Sequence, residues 1–120
     1  MNEIEINGKQ YILKSTIKTE KRESIENKKL VMVRTYSAGV HYGYLKKRVG
    51  KEVILQDARR VWYWKGAASL SQLAQEGTSD PNSCKFPCAV DEIVLTEAIE
   101  IISITSKAKE SLDKVKEWKQ

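Results

Sequence analysis

The stretch Ala58 to Ser71 reads Ala-Arg-Arg-Val-Trp-Tyr-Trp-Lys-Gly-Ala-Ala-Ser-Leu-Ser. Two arginines, three large aromatics and a lysine stand directly ahead of a small-residue turn. Guanidinium groups pair bidentately with phosphate, and indole or phenol faces stack on a nucleobase, so one short segment holds both halves of nucleotide recognition. The wider set of binding candidates is Arg34, Arg59, Arg60 and Lys65 for anionic groups, Tyr36, Trp62, Tyr63, Trp64 and Phe86 for stacking, and Ser37, Asn82, Thr96, Thr105 and Ser106 for hydrogen bonds. Thr105 and Ser106 precede Lys107 and Lys109 at an expected helix start, where free backbone N–H groups and the helix dipole favour an anion.

Catalytic signatures are missing. The chain has no Gly-x-x-x-x-Gly-Lys phosphate loop, no Gly-x-Gly-x-x-Gly and no His-Glu-x-x-His. Its single histidine, His41, has no nucleophile or acid beside it by motif and reads as structural. Cys84 and Cys88 are four apart with no further cysteine, so they lack the four ligands of a zinc site and read as reduced thiols packing a loop. Neither a cofactor nor a metal is expected, and the inventory is that of a binder rather than an enzyme.

Strand and helix signals position these residues. Glu52 to Trp64 is the longest strand candidate, and period-two alternation sorts Val53, Leu55, Arg59, Val61 and Tyr63 from Ile54, Ala58, Arg60, Trp62 and Trp64. The two arginines then point opposite ways unless a bulge intervenes near Asp57 or Ala58. Aromatics on a strand are usually core, which predicts burial of Trp62 and Trp64 and leaves Phe86, on an Asp-Pro and Phe-Pro loop, as the freer stacking face. Leu30 to Tyr36 alternates Val31, Val33 and Thr35 against Met32, Arg34 and Tyr36; Ser37-Ala38-Gly39 turns the chain, and Val40 to Arg48 returns.

Ser69 and Gln72 form a capping box ahead of a helix closed by Gly77. Val90 to Ile104 reads as a central strand pair or one long strand. Thr105 and Ser106 cap a last helix carrying Ala108, Leu112 and Val115, with Trp118 at its far end. At the other terminus, Ile4 and Ile6, Asn7-Gly8 and Tyr11 to Leu13 signal a hairpin over residues 2 to 14, followed by a charged segment to Lys29. The expected fold class is α+β, a mostly antiparallel sheet of four to six strands with two or three short helices.

Length and charge bound the whole. A chain of 120 residues suits one domain with one modest core, here the hairpin and charged segment of 1–29 followed by 30–116. A net charge of +5 favours anionic partners without demanding them. No apolar run approaches the ~18 residues of a membrane span, and the polar start lacks a signal peptide's apolar segment, so a cytosolic protein is expected.

Four segments carry a resemblance: Val33 to His41, Ala58 to Leu70, Lys85-Phe86-Pro87-Cys88, and Leu95 to Ile101. Across Leu30 to Lys116 the chain resembles a family of small phage and prophage proteins of unassigned function. It also looks like the Thoeris anti-defence type of nucleotide sponge, which captures glycocyclic ADP-ribose signals made by TIR-domain enzymes. That resemblance implies a non-enzymatic homo-oligomer, a dimer or a hexamer built from dimers, in the cytoplasm of an infected bacterium. Its ligand would be enclosed near a subunit interface and left uncleaved, with cyclic di- or trinucleotides as further ligands at a second site. It further implies Phe86 stacking on adenine, Arg59 or Arg60 holding the pyrophosphate, Thr96 hydrogen-bonding alongside, and a basic residue among Lys107, Lys109 and Lys114. The rival readings are a nucleic-acid-binding phage accessory domain and a small nucleotide-processing enzyme.

Overall fold

The computed structural model describes residues 27–120; the hairpin expected over residues 2 to 14 lies outside them. Five strands form one antiparallel sheet: β1 (Leu30–Thr35), β2 (Val40–Val49), β3 (Glu52–Val61), β4 (Val90–Leu95) and β5 (Ala98–Ser103), in the order β4-β3-β2-β1-β5. Helix α1 (Leu70–Glu76) and a 3-10 turn (Pro81–Ser83) fill the β3–β4 connection, and α2 (Ser106–Asp113) follows β5. The α+β class read from the sequence is the class observed.

The sheet must curl. β4 and β5 lie at opposite edges, yet only Thr96 and Glu97 join them. Five flat strands would hold those edges ~19 Å apart at ~4.8 Å per strand, whereas three peptide steps reach at most ~10 Å. The sheet closes partway into a barrel, and the Ala98 amide donates to Lys51 O at the tip of the β2–β3 hairpin. The segment Val90 to Ile104, expected at the centre, therefore supplies both edges.

Alternation then builds two cores. Val31, Val33, Val53, Leu55, Ala58 and Leu95 fill one face. Met32, Tyr42, Val61, Leu73, Phe86, Leu112 and Val115 fill the other, beneath the helices. Ala58 departs from simple alternation because β3 carries one extra residue between the pairs Tyr42↔Arg59 and Tyr44↔Gln56. Asp57 takes up that bulge at φ +49°, a left-handed conformation that Asp tolerates better than most residues. Ala58 is thereby turned onto the face of Val53 and Leu55. Opposite it, a Cβ on Gly43 would lie 2.9 Å from Ala58 Cα, so only glycine lets β2 and β3 approach there.

The helices are short and cap-dependent. Ser69 accepts from the Gln72 amide, and Gln72 Oε1 accepts from Ala68, one residue before the expected capping-box partner. Gly77, at φ +81°, ends α1. Thr105 Oγ1 accepts from the Ala108 amide and donates to Gln75 O at 2.7 Å, which ties the start of α2 to the end of α1.

Candidate functional site

The adjacent arginines of β3 do point to opposite faces, and their fates differ. Arg59 faces the helical side and is spent on backbone: Nε donates to Pro87 O (3.2 Å), Nη2 to Phe86 O (3.0 Å) and Nη1 to Val115 O (3.0 Å). Its guanidinium also lies 5.2 Å from the centre of the Phe86 ring. These bonds clasp the 85–88 loop and the segment after α2 to the sheet. Arg60 makes one hydrogen bond, from Nη1 to Ala38 O at 2.7 Å, and has no carboxylate partner among the described residues. Of the two, Arg60 retains donors for a ligand.

The aromatics reverse the sequence expectation. Phe86, expected on the surface as the stacking ring, is 0% exposed and meets Tyr42 edge-on at 5.9 Å. A loop residue is buried because residues 84–88 run beneath the sheet: Tyr63 pairs with Lys85, and Phe86 pairs with Glu117. Trp62, expected in the core, is 57% exposed. β3 ends at Val61, so alternation no longer drives the next side chain inward, and Trp62 stacks on Trp118 with centroids 4.8 Å apart and planes at 18°. Lys85 Nζ lies 5.5 Å from both indole centres, again without a carboxylate partner among the described residues. Trp64 is half-buried, its indole N–H donating to Ala67 O.

One end of the sheet thus gathers part of the candidate set. The β1–β2 turn presents Tyr36, 78% exposed, beside Ser37, whose hydroxyl donates to Glu97; Arg60 reaches back to the same turn at Ala38. Thr96 is exposed next to Glu97. Arg34 is paired with Glu100 at 3.4 Å. The group at the start of α2 sits apart, on the helical side: Thr105 is used as a cap, Lys109 pairs with Asp113 at 2.6 Å, and Ser106 and Lys107 are exposed. Sequence reasoning left Lys85, Trp118, His41 and Cys88 out of the site. The first two arrive through non-local pairing of residues 62–63, 85–86 and 117–118, which no local pattern announces.

Two clefts border these residues. One, of about 190 Å³, is lined by His41, Ala58, Arg60, Pro87, Cys88, Val90 and Ile93. The other, of about 100 Å³, lies on the helical side and is lined by Tyr42, Tyr44, Asp57, Arg59, Lys109 and Asp113 among others. His41 is 1% exposed, and burial, helped by the nearby Arg60 charge, lowers its pKa from the ordinary 6.5 against the opposing pull of its bond to Ala38. It is neutral at pH 7, and the carbonyl at 2.9 Å assigns the proton to Nε2. Burial likewise raises Tyr42, opposed by Arg59. Cys84 is buried and Cys88 exposed, both as free thiols. Among the described residues no group of three or more His, Cys, Asp or Glu is placed to hold a metal, and no helix is long and apolar enough to cross a membrane.

Fold and site together define a small α+β protein, a curled antiparallel sheet with a cationic and aromatic end. The chain belongs to the DUF6948 family, a domain of unknown function whose model matches residues 28–112. No curated protein matches it.

Proposed function

We propose that this protein is a non-enzymatic binder that sequesters an anionic, ring-bearing ligand of the nucleotide type at the end of β3. The observation that carries this reading is that Lys85, whose Nζ lies 5.5 Å from the centre of the exposed Trp62 indole, and Arg60, two residues before Trp62 in the chain, both lack carboxylate partners among the described residues. A surface cation is ordinarily solvated, but a guanidinium fixed by a backbone carbonyl is pre-oriented for a phosphate, and an indole already stacked on one face offers the other to a base. In this reading Trp62 takes the stacking role that resemblance gave to Phe86, and Arg60 rather than Arg59 takes the phosphate.

The similarity to the Thoeris anti-defence sponges makes a cyclic ADP-ribose-type signal the ligand of choice, held uncleaved in the cytoplasm of an infected bacterium. Neither of these two clefts among the described residues reaches the ~300 Å³ of a pocket that encloses a drug-sized ligand, and in this reading a second copy of the chain completes the enclosure of a dinucleotide-sized molecule. Slow release would follow from such enclosure.

The test is capture and return. Protein incubated with cyclic ADP-ribose, dialysed and heated should release the compound intact by mass spectrometry, and Trp62→Ala and Arg60→Ala should each weaken capture about tenfold or more. Release of a cleaved product would make it an enzyme. Undiminished capture by both variants would remove the site. Preference for single-stranded oligonucleotides, with affinity falling steeply as salt rises, would favour the nucleic-acid reading.

A further inference from the structure

The cleft beneath Arg60 has a composition that packing alone does not account for. Its walls are largely apolar, from Ala58, Pro87, Val90 and Ile93, yet it holds three chemically distinct polar groups: the Arg60 guanidinium, the Cys88 thiol and the His41 imidazole. His41 is almost wholly buried. Its Nε2 donates to Ala38 O, the carbonyl that also orients Arg60, so Nδ1 is an acceptor with no partner among the described residues. An imidazole nitrogen with no protein donor can accept a hydrogen bond from whatever occupies the cleft it lines. The cleft is suited to a group that is anionic at the guanidinium and carries a donor for the imidazole.

A sugar phosphate meets both demands. We infer that this cleft is a sugar-phosphate seat, with phosphoryl oxygens on Arg60 and a sugar hydroxyl donating to His41 Nδ1. The inference rests on the binding reading above and deepens it. At about 190 Å³ the cleft takes a group rather than a whole ligand. Trp62 stands two residues beyond Arg60 on the same chain segment, ~7 Å along an extended backbone, a step that one sugar bridges between a phosphate and its base. Cys88, exposed at the rim, is the natural reporter, and the buried Cys84 is its internal control.

The experiment uses iodoacetamide on the full chain, with the alkylation of each cysteine followed by mass spectrometry, while Trp fluorescence follows binding in parallel. Saturating cyclic ADP-ribose should slow Cys88 alkylation about tenfold. Adenosine, which has the base and sugar without phosphate, should protect far less. Arg60→Ala should abolish protection, and His41→Phe, which keeps a ring but removes the acceptor, should reduce it; circular dichroism of both variants shows whether the fold is kept. Quenched Trp fluorescence with Cys88 alkylated at its free rate would overturn the seat and leave the binding reading intact. Absence of both signals would overturn both.

Discussion

Arg59 and Arg60 are neighbours in sequence and opposites in consequence, which makes their alanine variants a sharp test. Removing Arg59 deletes three charge-assisted hydrogen bonds to Phe86 O, Pro87 O and Val115 O, at 3.0, 3.2 and 3.0 Å. Such bonds contribute ~1.5–3 kcal/mol each when the donor is charged. Arg59 is only half-buried, so the low end applies, and Phe86 O keeps the Trp118 amide as a partner at 2.9 Å. Arg59→Ala should then cost about 3–4 kcal/mol, a large share of the ~5–15 kcal/mol that holds a domain of this size. Arg59→Lys should recover only part, since one ammonium cannot span three carbonyls.

Arg60→Ala loses a single exposed bond to Ala38 and should cost no more than about 1 kcal/mol. Urea unfolding followed by fluorescence measures both costs. Circular dichroism adds an independent readout: the Trp62–Trp118 stack should give an exciton couplet that survives Arg60→Ala and disappears in Arg59→Ala, because Arg59 anchors the segment leading to Trp118. Equal costs for the two arginines, or an intact couplet in Arg59→Ala, would refute this division of roles.

Phe86 and His41 yield two further expectations. Phe86→Ala should destabilise the fold by about 3–5 kcal/mol by denaturant titration, as for other buried phenylalanines, while the milder Phe86→Leu should keep ligand capture at the wild-type level, because the ring faces the core. The depressed pKa of His41 means that the unfolded chain takes up its proton first, near the ordinary 6.5, so its contribution to stability is fully present above that pH. Thermal melts should therefore show stability falling from about pH 6.5 down to the lower folded value, and His41→Phe should remove that slope.

What the sequence made legible follows the range over which each signal acts. Ser69, Gly77 and Thr105 act within one helical turn, and all three occupy the caps expected of them. Alternation over Val31 to Val33 and Val53 to Leu55 likewise sorted the two cores, since a strand's side chains choose faces through their own backbone. The bulge at Asp57 was foreseeable as a location but not as a fact, because it depends on which residue of β2 lies opposite. Phe86 and Trp62 exchanged places for a longer-range reason. A ring on a Pro-flanked loop is exposed only if nothing covers that loop, and here the covering comes from Arg59, 27 residues earlier, and from Glu117 and Trp118, some thirty residues later. The same three-way pairing lifts Lys85 and Trp118 into the site. A binding surface assembled from three chain segments has no local period, so its members are recognisable by chemistry one at a time and as a set only once the sheet has brought them together.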